Sequence, residues 1–208
     1  VCGLGLGWFE SEHTALGWPF PSVDERYALL EDALEFLPIF WGKGTPAYAG
    51  RVLEVPEAMC YPRPLQEHIP LLVGGSGEKR TLRLVAKYAD ACNIIGEVDV
   101  VRRKVRVLHD HCLAIGRDPE TIAITQLSTT LIGRTGIDIA AQVERYKPRR
   151  VSSESYAKRV NAGTPGDQIG RFRALAEAGV QHAIVSFPDL SNNEPIEYFA
   201  KVIAAFAE

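Results

Sequence analysis

Apolar and polar positions alternate along this chain in two rhythms, short aliphatic runs and longer amphipathic stretches. Residues 1–6 form an apolar run threaded by Gly3 and Gly5 and followed by Gly7, which predicts a buried strand whose end comes close to something else. A polar loop is expected next. Ser22 and Glu25 make a capping box after Pro21, and Leu30, Ala33, Leu34 and Leu37 recur at helical spacing toward Trp41, with Pro38 expected to kink or end that helix. The stretch from Gly42 to Glu67 is rich in glycine and proline, and the alternation over 48–55 predicts a small hairpin. Ile69 to Val73 predicts a strand ending on Gly74, Gly75, Ser76 and Gly77, with a helix over 78–88 behind it. A strand over 90–95 and a helix over 100–115, with Val101, Val105, Leu108 and Cys112 on one face and Gly116 closing it, repeat the theme. A strand over 122–132 and short helices over 139–146 and 153–160 follow. Thr164, Pro165 and Gly179 then frame a helix, and a strand over 181–187 and a helix over 195–206 complete the series.

Five strand-helix units with no hairpin between consecutive strands call for an α/β fold, a parallel sheet covered by helices. Five such strands suit a doubly wound sheet, or equally the last five units of an eight-stranded TIM-type barrel. A start directly on a strand at Val1 favours the barrel. The expectation is therefore a single domain over 1–208, a partial barrel cut within a larger domain on its N-terminal side.

The composition narrows the partners. The chain is 46% hydrophobic and 24% charged, the balance of an ordinary globular protein. Its net charge of -3, with basic residues scattered apart from Lys147, Arg149 and Arg150, argues against nucleic acid. No apolar run is long enough for a membrane span. Cys2, Cys60, Cys92 and Cys112 lack metal or disulfide spacing, so a reducing, cytoplasmic setting is expected. His109 and His111 cannot share a helix face, and His68 and His182 stand apart, so no metal site is expected.

Two places could carry chemistry. Gly74, Gly75, Ser76 and Gly77 between strand and helix offer backbone N–H groups, a hydroxyl and a helix start, a phosphate cradle to which Lys79 or Arg80 adds charge. The plain alternative is a tight turn. The sequence lacks a Walker A motif, and Glu78 replaces the last glycine of a hydrolase elbow. Gly7 and Trp8, followed by Phe9, Glu10, Ser11, Glu12 and His13, sit at a strand's C-terminal end, where parallel α/β folds place their sites. They could frame a planar cofactor, or Trp8 could anchor a core. Asp90 is a candidate to line the same face as Ser76 with Asn93, or to cap a turn.

The run from Gly3 to His13, with Pro19, Phe20, Pro21, Glu25, Arg26, Glu31, Leu34 and Glu35, resembles the fourth-strand region of luciferase-like oxidoreductases, the bacterial luciferase superfamily. Gly74 to Arg83, then Ala89, Asp90 and Asn93, is similar to the fifth- and sixth-strand region of the branch that uses the deazaflavin coenzyme F420. Gly116 to Pro119 and Gly163 to Gly166, continuing to Ile184, match as well. The resemblance implies a TIM-type barrel entered at its fourth strand. It also implies an oxidoreductase that moves a hydride between F420 and a small organic substrate, possible as a homo-oligomer. Cofactor contacts would fall to Gly7, Trp8, Gly74, Gly75, Ser76, Gly77 and Lys79, with the catalytic acid or base unassigned. Some deazaflavin dehydrogenases of the family carry a glutamate where Trp8 stands. Flavin-using luciferases carry a basic residue where Leu6 stands, which leans toward F420 over FMN. The alternatives are an FMN-dependent monooxygenase, or an inactive barrel remnant serving as an interaction domain.

Overall fold

A computed structural model describes residues 1–207. The chain forms two compact units, Val1–Asn93 with Arg106–Ala123, and Ile94–Val105 with Ile124–Glu208. The first unit opens with strand β1 (Cys2–Gly5), then helices α1 (Glu10–Ala15) and α2 (Val23–Trp41) and the short strands β2 (Tyr48–Ala49) and β3 (Glu54–Val55). It continues through β4 (Leu71–Gly74), α3 (Thr81–Tyr88) and β5 (Ala91–Ile94), whose last residue belongs to the second unit. Helix α4 (Val98–Ala114) starts in the second unit and ends in the first. The second unit then holds β6 (Ala123–Thr129), α5 (Gly136–Tyr146), α6 (Ser153–Arg159), α7 (Pro165–Glu177), β7 (His182–Ser186) and α8 (Glu194–Ala204).

In the first unit β4 lies between β1 and β5, parallel to both, and the pairing sets Gly5 beside Gly74 and Gly74 beside Asn93. Leu71 and Val73 point into a core completed by Leu30, Leu34, Leu82, Val85, Ala86 and Cys92, all buried. Each leucine or valine side chain buried there contributes about 1.5 to 3 kcal/mol. The Ser22–Glu25 capping box starts α2 as expected, and Pro38 lies within the helix, which runs on to Trp41. The hairpin over 48–55 is present as β2 paired antiparallel to β3. It is tied to α2 by buried Asp32, whose carboxylate accepts the backbone N–H groups of Arg51, Val52 and Leu53 at 3.0, 2.7 and 2.8 Å. Arg117 closes the far end of α3 by donating to the carbonyls of Ala86 and Ala89 at 3.0 and 2.8 Å, the last-turn acceptors a helix leaves open.

In the second unit β6 and β7 pair in parallel. Thr164 and Asp167 form a full capping box at the start of α7, with Pro165 in its first turn. A separate cluster of Leu131, Val143, Tyr156 and Val160 packs α5 and α6 together.

Three expectations need correction. Residues 10–15 are a helical turn and a half rather than a polar loop, although the segment buries none of its residues. Helix α3 begins at Thr81, not Glu78, so residues 78–80 form a turn between the glycines and the helix. Asp90 stands before β5, where its carboxylate accepts the Leu71 N–H at 2.7 Å and meets His68 Nε2 at 3.0 Å. It therefore braces the strand start, at the opposite end from Asn93 and Ser76, and His68 does not stand alone.

Candidate functional site

The residues singled out in the sequence, Asp90 apart, lie where the parallel strands of the first unit end. Because paired residues of a parallel ladder point to the same side, Gly5, Gly74 and Asn93 form one row and Gly3, Leu72 and Ala91 the row before it. On β1 the exposed face carries Gly3 and Gly5 alone, while Cys2 and Leu4 on the other face are half-buried. The strand end is thus a floor of bare backbone.

The glycines here are required for different reasons. Gly75 has φ +124°, a conformation that L side chains rarely adopt, so the turn itself demands glycine. At Gly77 a Cβ would come within 3.0 Å of Thr81 Oγ1 and 3.2 Å of the Tyr27 hydroxyl, so packing demands it. Gly74 is under neither constraint: its φ is not positive, and a Cβ would make only an ordinary contact, 3.6 Å from the Leu4 carbonyl. The protein's own packing gives no reason for glycine at 74. An open floor for a ligand does.

The turn after Gly74 departs from a simple amide cradle. The Gly75 N–H is already donated to the Asn93 carbonyl at 3.2 Å, so it is not directed to a ligand. Arg80 is committed to Asp24 and stacks over the Tyr27 ring at 3.8 Å. That leaves Lys79, exposed, as the cation of the turn, beside the half-buried Ser76. Cys92, next to Asn93, offers no thiolate, because burial pushes its thiol up to about 12.

The loop after β1 presents Trp8, 83% exposed, in tilted contact with Phe9. That exposure removes the core-anchor reading of Trp8. Gly7, also exposed, has its carbonyl held by the Arg26 guanidinium, which donates in addition to the Pro21 carbonyl at 3.1 Å and lies over the Phe20 ring. Side chains to which the sequence assigned no role at the site therefore build it. Arg26 fixes the first loop. Tyr27, bonded to Thr81 Oγ1 at 2.9 Å, underlies the glycine turn, and His111 Nε2 donates to the Glu78 carbonyl at 2.7 Å. None of these has a local motif; each is found only through its partner across the fold.

The sequence model of the luciferase-like monooxygenase family matches residues 1–186. An uncharacterized protein of Mycobacterium tuberculosis is 27% identical over 162 residues, covering 69% of this chain and 56% of its own length. The F420-dependent glucose-6-phosphate dehydrogenase of Intrasporangium calvum is 25% identical over 220 residues, 90% of this chain and 64% of the enzyme. The FMNH2-dependent dimethylsulfone monooxygenase of Pseudomonas putida is 26% identical over 125 residues, 56% of this chain and 34% of the enzyme. The chain thus spans less than two thirds of the length of each. Among solved structures, an F420-dependent secondary alcohol dehydrogenase superposes with a TM-score of 0.82 at 19% identity, over 99% of this chain and 69% of that one. That likeness shows the fold, the α/β barrel class expected from the order of elements.

Proposed function

This chain belongs to the luciferase-like monooxygenase family, and from that membership we propose that it is the cofactor-bearing part of an F420-dependent oxidoreductase acting on a small organic alcohol. The observation that carries the reading is the bare floor at Gly5 and Gly74, with exposed Trp8 in the loop beyond β1. A flat ring system needs such a floor, and an indole is suited to lie against it. The residues that would hold the cofactor are Gly7, Trp8 and Gly74 around its ring, and Ser76 and Lys79 toward its phosphate-bearing tail. Gly75 and Gly77 shape the turn that presents them. The bound deazaflavin supplies hydride acceptance; the protein supplies position and electrostatics. The F420-dependent glucose-6-phosphate dehydrogenases among the relatives, and Leu6 in place of a basic residue, support F420. Use of FMN in monooxygenation is the second reading, favoured by the dimethylsulfone monooxygenase relative.

The test is a titration of the chain with F420 and with FMN, followed by an assay of F420 reduction with glucose 6-phosphate and with isopropanol. Saturable F420 binding and reduction by either alcohol support the reading. Preference for FMN transfers the assignment to the monooxygenase, and binding of neither cofactor supports an inactive barrel remnant.

A further inference from the structure

His13 lies on α1, in the segment that follows β1, and its ring is held from several sides. Its Nδ1 lies 2.9 Å from the Pro19 carbonyl. A carbonyl only accepts, so Nδ1 carries the proton and, in the neutral ring, Nε2 carries a lone pair. The ring is held edge-on by Phe20 at 5.0 Å and by Trp18 at 6.4 Å between centroids. Phe20 is in turn pinned beneath the Arg26 guanidinium at 4.3 Å, and Arg26 also grips the Gly7 carbonyl. Nε2 lies beside Gly7: a Cβ built there would stand 4.0 Å from it. Among the described residues Nε2 has no hydrogen-bond partner. A histidine fixed through one nitrogen, with the other left open beside the residue that continues the glycine strip, has the form of an oriented proton acceptor.

We infer that His13 Nε2 is the group that takes the proton when the alcohol is oxidised. The inference rests on the F420 reading above. The balance is simple. The substrate C–H bond breaks and its electron pair leaves as hydride to F420, which is reduced. The O–H bond breaks with its proton going to Nε2, and the oxygen electron pair closes the carbonyl. The exposed carboxylates of Glu10 and Glu12, on the same short helix, have no comparable fixed partner on their side chains in this loop.

Three measurements on the chain test this. Nitrogen-15 spectra of labelled histidine should show His13 as the Nδ1–H tautomer; the opposite tautomer overturns the inference without touching the cofactor reading. Diethyl pyrocarbonate acylates an imidazole nitrogen that bears an open lone pair, and mass mapping should find His13 modified. Saturating F420 should slow that modification by about tenfold, with His109 and His182 unchanged, since an occupied site shields its own nucleophile. Unprotected His13 in a chain that fluorescence shows to be saturated with F420 overturns the inference alone, whereas absence of F420 binding overturns the cofactor reading and the inference with it. His13→Asn keeps a donor for the Pro19 carbonyl while removing Nε2. It should bind F420 within about threefold of wild type and lower kcat for F420 reduction by roughly a hundredfold, the lower range for loss of a general base. An unchanged kcat in that variant overturns the proposal.

Discussion

Gly74 separates a ligand's requirement from the fold's. Its conformation and surroundings accept a side chain, so Gly74→Val should fold with a melting temperature equal to or above that of wild type. Its isopropyl group would stand on the floor, and F420 affinity should fall by about tenfold or more, equivalent to about 1.4 kcal/mol. Equal affinity would show that the floor carries nothing. Gly75→Val is a poorer probe, because the positive φ adds strain of about 1 to 3 kcal/mol and confuses binding with stability. The run of four residues from Gly74 to Gly77 is legible in sequence as a turn, but which glycine serves which purpose is not. That depends on Asn93, Thr81 and Tyr27, which reach the turn from elsewhere in the chain. Asp32 offers a second residue-scale test. Burial pushes its carboxyl up, yet the N–H groups of Arg51, Leu53 and Val52 outweigh that and hold it below the usual range. A carboxyl lowered on folding adds stability that is present above the unfolded value near 4 and is lost as pH falls through the lower folded value. Asp32→Ala should therefore cost about 3 kcal/mol at neutral pH, leaving three N–H groups without their acceptor, and less in acid. Denaturant melts at several pH values check both the size and the direction.

Helices and strands were legible where their ends carry local chemistry and obscure where they do not. Ser22 with Glu25 and Thr164 with Asp167 announce α2 and α7, because a capping box is written in residues three apart. Helix α1 has no side-chain cap and no buried face, so neither signal that reading relies on was present. The start of α3 lies three residues later than the pattern predicts because Arg80, its N-cap, makes no capping bond, and its side chain goes to Asp24 and Tyr27 instead. Two predictions belong to this scale. His111 on α4 steadies the turn before α3 through the Glu78 carbonyl, so His111→Ala should weaken F420 binding by about fivefold, the worth of one hydrogen bond, with the fold retained. A change confined to melting temperature would reduce His111 to a packing role. In the second unit, Asp189 accepts from the Tyr146 hydroxyl and from the Ser191 N–H, and these bonds hold its carboxyl down to about 2. Tyr146→Phe should raise that titration toward the ordinary carboxylate value, read from the carbon-13 shift of the Asp189 carboxyl; an unmoved midpoint would mean that the bond does not persist in solution.

For the molecule as a whole, the alternation of strands and helices gave the fold class, since parallel strands need a helix between them. The surface adds an expectation of its own. β1 and β7 are each paired on one side, and Val1, Leu127, Ile184, Ile203 and Phe206 are exposed. Open strand edges and exposed apolar groups promote association, so the chain on its own should self-associate or take up a hydrophobic dye at neutral pH. A monodisperse monomer that excludes the dye would show these surfaces to be satisfied within the chain. The central claim concerns the cofactor, and the most direct measurement is indole fluorescence during parallel titrations with F420 and FMN, using Trp8→Phe to isolate Trp8 from Trp18 and Trp41. The account predicts saturable F420 binding that quenches Trp8, FMN affinity weaker by about tenfold or more, and loss of F420 affinity in Gly74→Val. Tighter binding of FMN, or F420 binding indifferent to both Trp8 and Gly74, would contradict it.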